Sequence, residues 1–117
     1  RIMQIDMKIK EGASILYPPR RFDLGCSVSF QAKIDNVLAM TDGPLLVNFE
    51  SVAYVSSAIL GAILTAARVF GREGRPVAVC SVAAGVTRVL DSLEFFDLVP
   101  VYGSEAAALE AFSCVPG

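Results

Sequence analysis

The stretch Ala53-Tyr54-Val55-Ser56-Ser57-Ala58-Ile59-Leu60-Gly61 sets two hydroxyls side by side among apolar residues. A hydroxyl so placed can cap a helix by accepting from a first-turn N–H. It can also accept a phosphate, or act as a nucleophile if a base stands next to it. The 117-residue chain contains no histidine, the commonest general base and metal ligand. It also lacks G-x-S-x-G, so a serine esterase has little to stand on. A phosphate, by contrast, suits a helix start, where free N–H groups and the helix dipole favour an anion while the surface charge changes by about two units. A site of that kind stays folded and refuses a partner.

The other reactive side chains point to less. Cys26, Cys80 and Cys114 are odd in number, widely spaced and unaccompanied by histidine. Neither a disulfide framework nor a zinc site follows, no metal or cofactor is expected, and a reducing cytoplasm fits best. Cys80 closes an apolar run and reads as a small core residue. Gly71-x-x-Gly74 lacks the lysine and the strand-to-helix position of a phosphate loop, which leaves a turn. Arg20-Arg21 reads as a partner contact or as ordinary exposed loop.

Apolar residues make up 54% of the chain and charged ones 19%, a composition that folds. The length is that of a single domain, residues 1–117, able to bury one core. A net charge of −2, with Arg and Lys scattered along the chain, gives no footprint for nucleic acid. The longest apolar candidate for a membrane span, Ala58 to Ala67, is broken by Gly61 and Thr65 and ends at Arg68. No membrane insertion is expected, and nothing resembles a signal peptide.

The elements that must position the serines follow from periodicity. Met3, Ile5, Met7 and Ile9 alternate with Gln4, Asp6, Lys8 and Lys10, which predicts a strand with one face buried and one wet. Glu11-Gly12 supplies a turn into a second strand, Ala13 to Tyr17, that stops at Pro18-Pro19. Phe30, Ile34, Val37 and Leu38 form the apolar stripe of a first helix from Ser27 onward. Leu45 to Phe49 and Val77 to Cys80 read as central strands covered on both faces. Ser56 to Phe70 is apolar nearly all round and too long for a strand, hence a largely buried helix. Val86, Val89, Leu90 and Leu93 mark the inner face of a helix over Val82 to Phe96, with Thr87, Arg88, Asp91 and Glu94 outside. A last strand near Leu98 to Tyr102 precedes a helix capped by Ser104 and favoured at its start by Glu105. The order β-β-α-β-α-β-α-β-α predicts an α/β fold with a mixed, mostly parallel sheet of about five strands and about four helices. The serines then lie where the third strand hands over to a helix, at the carboxyl end of a central strand.

These residues resemble the STAS domain family and, within it, the small bacterial anti-sigma factor antagonists. The resemblance begins at Ile5-Asp6-Met7-Lys8-Ile9-Lys10-Glu11 and passes through Asp23 at the end of the second strand. It is clearest from Leu46-Val47-Asn48-Phe49-Glu50 to Leu60-Gly61 and runs on to Cys80. The family signature is Asp-Ser-Ser/Thr-Gly-Leu-Gly, whose first serine is phosphorylated by the cognate anti-sigma factor, a serine kinase. Leu60-Gly61 sets the register: the family's aspartate falls on Ser56, its phosphoserine on Ser57, its second hydroxyl residue on Ala58 and its first glycine on Ile59.

The resemblance implies a STAS fold and a non-enzymatic switch in a partner-switching pathway that regulates transcription. The unphosphorylated protein would bind an anti-sigma factor and free a sigma factor. Phosphorylation at Ser57 would break that complex, and a phosphatase would reset it. The implied binding face comprises Ser56, Ser57, Ala58 and Ile59, with Arg21 and Asp23 from the adjacent loop. There Ile59 would place a branched side chain on a surface that the family keeps bare. Dimerisation is left open. Two alternatives stand beside this reading: a scaffolding STAS subunit of a larger signalling or lipid-transport assembly that is not phosphorylated, and an enzyme using Ser57 as nucleophile.

Overall fold

The structure, a computed structural model, describes residues 5–92 and 95–114. Met3, Gln4, Leu93 and Glu94, which the periodicity assigns to strand and helix faces, lie outside these residues. Strands β1 (Asp6–Lys10) and β2 (Ala13–Tyr17) form an antiparallel hairpin in which Asp6 faces Tyr17 and Lys10 faces Ala13. Its turn residues, Glu11 and Gly12, both take positive φ, 52° and 81°, the geometry whose twist matches the flanking strands. Gly43 packs against this turn so closely that a Cβ there would run into the Gly12 carbonyl.

The chain continues through β3 (Arg21–Phe22), α1 (Ser27–Met40), β4 (Leu45–Asn48), β5 (Tyr54–Val55) and α2 (Ser57–Gly71). It ends through β6 (Val77–Cys80), α3 (Ala84–Ser92), β7 (Val101–Tyr102) and α4 (Glu105–Ser113). The main sheet has five strands in the order β1-β2-β4-β6-β7, parallel throughout except for β1. This is the expected mixed α/β sheet with its four helices. Beside it stands a second, two-stranded ribbon that periodicity did not predict: β3 and β5 pair in parallel, Arg21 with Tyr54 and Phe22 with Val55.

Side-chain alternation along the strands splits the interior into two layers. Leu16, Leu45, Val47, Val77 and Val79 point to one face, where Phe30 and Ile34 of α1, Ile59 and Ile63 of α2, and Val86 and Leu90 of α3 cover them. Ala13, Ile15, Leu46, Ala78 and Cys80 point to the other, under Ala108, Leu109 and Phe112 of α4 with Tyr17 and Tyr102 beside them. Phe22 of the ribbon reaches into the larger layer, its ring edge-on to Phe30 and Phe49 with centroids 4.9 and 5.9 Å away, so the ribbon is fastened to the core by aromatic packing.

Two expectations about burial fail. The apolar side of β1 is not buried along its length: Ile5 is 1% exposed, Met7 38% and Ile9 61%, since Met7 and Ile9 line an open groove beside the C-terminal turns of α1. Val89 stands 38% exposed, since α3 packs through Val86 and Leu90. A third feature has no counterpart in the sequence reading. Arg75 is buried, and its guanidinium donates to the carbonyls of Val37, Leu38 and Gly43 at 2.9 to 3.2 Å and to the Thr41 hydroxyl at 2.9 Å. Two of these carbonyls, Val37 and Leu38, belong to the last turn of α1, where a cation is also favoured by the helix dipole. Among the described residues no helix is long and apolar enough to cross a membrane.

Candidate functional site: the start of the second helix

Strand β4 does not hand over to α2 directly. The chain leaves β4 at Asn48, crosses to the ribbon as β5, and enters α2 from there. Backbone bonds fix that approach: Ala53 N–H and Tyr54 N–H donate to the Arg20 carbonyl at 2.8 and 3.2 Å, and Ser56 N–H donates to the Phe22 carbonyl at 3.1 Å. The serines are thus held against the Arg20–Asp23 segment, which joins Arg21 and Asp23 to one neighbourhood with them. Asp23 follows β3 rather than ending β2, as the sequence reading had it.

The two hydroxyls have different environments. Ser56 is the N-cap of α2: its backbone is extended (φ −85°, ψ 155°), and its Oγ accepts from Ile59 N–H at 3.3 Å. Ser57 is the first helical residue and is exposed, as is Ala58. Leu60 N–H donates to the Ser56 carbonyl at 3.2 Å, while the N–H groups of Ser57 and Ala58 have no acceptor among the described residues. An exposed hydroxyl therefore sits beside free donors at the positive end of a fifteen-residue helix.

Ile59 departs from expectation. It is fully buried in the larger core layer, so its side chain is not part of the exposed face. At the third position of α2 it begins the inward stripe that continues through Leu60, Ile63, Ala66 and Phe70, and a residue on that stripe must face the sheet.

Arg21 and Asp23 lie on the surface next to the serines and are paired with each other, Arg21 Nε donating to Asp23 Oδ2 at 2.8 Å. The other Asp23 oxygen accepts from Gly25 N–H at 3.0 Å, which caps the 3-10 turn Leu24–Cys26 leading into α1. The hydrogen bond from Arg21 holds the Asp23 carboxyl below its ordinary range, with the Gly25 N–H adding to it. The Arg21 guanidinium also lies over the Tyr54 ring, 5.2 Å from its centroid. Tyr54, half exposed, is a surface residue of this face that the sequence reading passed over. Its only sequence signal is the alternation Tyr54 out, Val55 in, too short to stand out.

A second polar cluster occupies the α4 side of the sheet. Glu105, just past the Ser104 N-cap, accepts from Lys10 Nζ at 2.7 Å, the Tyr17 hydroxyl at 2.5 Å and Asn48 Nδ2 at 3.1 Å. Burial pushes the Glu105 carboxyl up, but these three donors together outweigh it and hold the group below its ordinary range. Tyr17 is pushed up by burial and by its bond to Glu105. Nearby Cys80 is driven up to about 11 by burial, so its thiol stays protonated and inert. The cluster ties α4 to the carboxyl ends of β2 and β4.

With this geometry in view, the comparisons place the chain. The profile of the STAS domain matches residues 4–108, and the chain belongs to that family. It is 25% identical over 114 residues to the anti-sigma F factor antagonist of Paenibacillus polymyxa, covering 97% of each chain. Its fold is similar to that of an anti-sigma factor antagonist (STAS) domain protein from Planctomyces limnophilus: TM-score 0.85, 16% identity, 94% of this chain and 98% of that one. It is also similar to the Bacillus cell fate determinant SpoIIAA in its phosphorylated form: TM-score 0.70, 13% identity, 92% and 97% covered. The fold is thus the STAS fold found in anti-sigma factor antagonists.

Proposed function

We propose that this protein is a cytoplasmic anti-sigma factor antagonist whose binding to an anti-sigma factor is switched off by phosphorylation of Ser57. The reading is carried by one observation: Ser57 is the exposed first residue of α2, set one position beyond the serine that caps the helix. The relative from Paenibacillus polymyxa is named an anti-sigma F factor antagonist, and a structural neighbour takes a phosphorylated form. Both are consistent with the reading.

The docking face comprises Ser56, Ser57 and Ala58 with Arg21, Asp23 and Tyr54. The partner is an anti-sigma factor that is itself a serine kinase, and a phosphatase restores the binding form. No catalysis by this chain is required. Phosphate on Ser57 sits where the N–H groups of Ser57 and Ala58 and the dipole of α2 tolerate it, so the domain stays folded. In the complex the same dianion would be stripped of water against the partner, at a cost that favours dissociation.

Incubation with ATP and a cognate anti-sigma factor kinase, followed by peptide mass spectrometry, tests this reading. The expected result is a single phosphate on the peptide carrying Ser57, absent in Ser57→Ala. A kinase that binds the protein yet places no phosphate on that peptide in the presence of ATP would instead favour a scaffolding STAS subunit.

A further inference from the structure

The β1 edge of the main sheet has a pattern of its own. Ser14 N–H donates to the Pro44 carbonyl at 3.0 Å, so Ser14 and Leu16 spend their backbone groups on the β4 side. Residues 13, 15 and 17 therefore exchange hydrogen bonds with Lys10, Lys8 and Asp6 of β1. The backbone groups of Met7 and Ile9 then point outward from the sheet. All five residues of β1 are exposed. On one face of the strand, Met7 and Ile9 join Val37 and Met40 of α1 in an apolar groove of about 270 Å³, with Met40 80% exposed. On the other face stand Asp6, Lys8 and Lys10. Lysines on an edge normally repel a second strand, but here one arrangement gives Lys8, whose ammonium lies 5.5 Å from the Tyr17 ring centroid of its own chain, an opposite charge across the edge.

We propose that β1 pairs antiparallel with β1 of a second copy of this chain, about a twofold axis through Met7. In that register Asp6 of one copy faces Lys8 of the other, and the exchange is repeated by symmetry. Outward-pointing Met7 pairs with Met7 of the second copy, and Ile9 pairs with Ile5, so backbone hydrogen bonds form at the edge. The grooves beside Met40 in the two copies merge into one apolar strip on the α1 side. Lys10 stays with Glu105 of its own chain, 2.7 Å away. Moving the axis by one residue in either direction sets like charges against each other on it, Lys8 against Lys8 or Asp6 against Asp6, which is unfavourable. Charge complementarity thus selects both the occupant and the register. This pairing uses the edge strand, not the Ser57 face, and does not depend on the proposed switch.

Sedimentation across a protein concentration series reads the dimer directly. Wild-type protein is expected to shift from monomer to dimer, with Met7 and Ile9 amides becoming protected from hydrogen exchange as the dimer fills. Asp6→Lys and Lys8→Asp each place like charges across the axis and are expected to weaken the dimer by about tenfold or more. The double variant Asp6→Lys/Lys8→Asp restores opposite charges and should recover dimerisation, with circular dichroism checking that all variants fold. A wild-type protein that stays monomeric at every concentration overturns the proposal. So does a double variant no better than the singles, or a dimer in which the Met7 and Ile9 amides stay unprotected.

Discussion

At the residue scale, neighbouring serines of the same type have been given different work by a single step along the chain. Ser56 faces the helix end and accepts from Ile59 N–H, whereas Ser57 faces solvent. Ser56→Ala removes the cap and is expected to cost about 1 kcal/mol, a fall of roughly 4 °C in Tm by thermal melting. Ser57→Ala loses no hydrogen bond seen in the fold and should leave Tm nearly unchanged, so the pair separates stability from switching. Arg75 carries a larger share of the fold. Replacing it with Met fills similar space but leaves the carbonyls of Val37, Leu38 and Gly43 with fewer donors near the α1 C-terminus. The expected loss is about 3 kcal/mol in denaturant unfolding, in the range for breaking a buried polar network. This role could not be read from an arginine that follows a glycine turn, because the carbonyls of Val37, Leu38 and Gly43 lie more than thirty residues away in sequence.

At the scale of elements, long periodic segments were legible and short ones were not. The stripe Phe30, Ile34, Val37 places α1 correctly, and the apolar runs at Leu45 and Val77 place the central strands. Strands β3 and β5 have two residues each, too few for any period, so sequence patterning neither separates Asp23 from the end of β2 nor marks Tyr54 as a surface residue of this face. Ile59 shows the limit for the site itself. Leu60-Gly61 sets the register of the serines in the sequence, but which side of α2 faces the sheet depends on how the helix docks, and docking buries Ile59. The attachment of α4 is another device between elements that spacing could not reveal, since Lys10, Tyr17, Asn48 and Glu105 meet only in the fold. It makes a prediction about acid. Glu105 has a lowered pKa in the folded protein, against an ordinary value of 4.5, so in that window the unfolded chain binds more protons. The stabilisation is complete above the ordinary value and is lost as pH falls through the lowered one. Urea titrations should therefore show wild type well above Glu105→Gln at neutral pH, and the gap should close as pH drops below 4.5. A gap independent of pH would mean that the Glu105 charge is not what holds α4.

At the scale of the whole molecule, the sheet separates two surfaces. Helices α1, α2 and α3 build the thicker layer that presents the start of α2, while α4 alone closes the other face. Because Ile59, Leu60 and Ile63 root α2 in that core, the phosphate proposed on Ser57 would stand on a helix anchored in the sheet. The chain carries a net charge of −2, and phosphorylation adds about −2 more at one spot. Phosphorylation at Ser57 is therefore expected to change recognition without changing the fold. Calorimetric titration of the anti-sigma factor kinase with unmodified, Ser57-phosphorylated, Ser57→Ala and Ser57→Asp protein tests that expectation most directly. Unmodified protein and Ser57→Ala should bind alike, and the phosphorylated form should lose about a hundredfold or more in affinity, with Ser57→Asp weakened in the same direction. Phosphorylated protein that binds as tightly as Ser57→Ala would contradict the account.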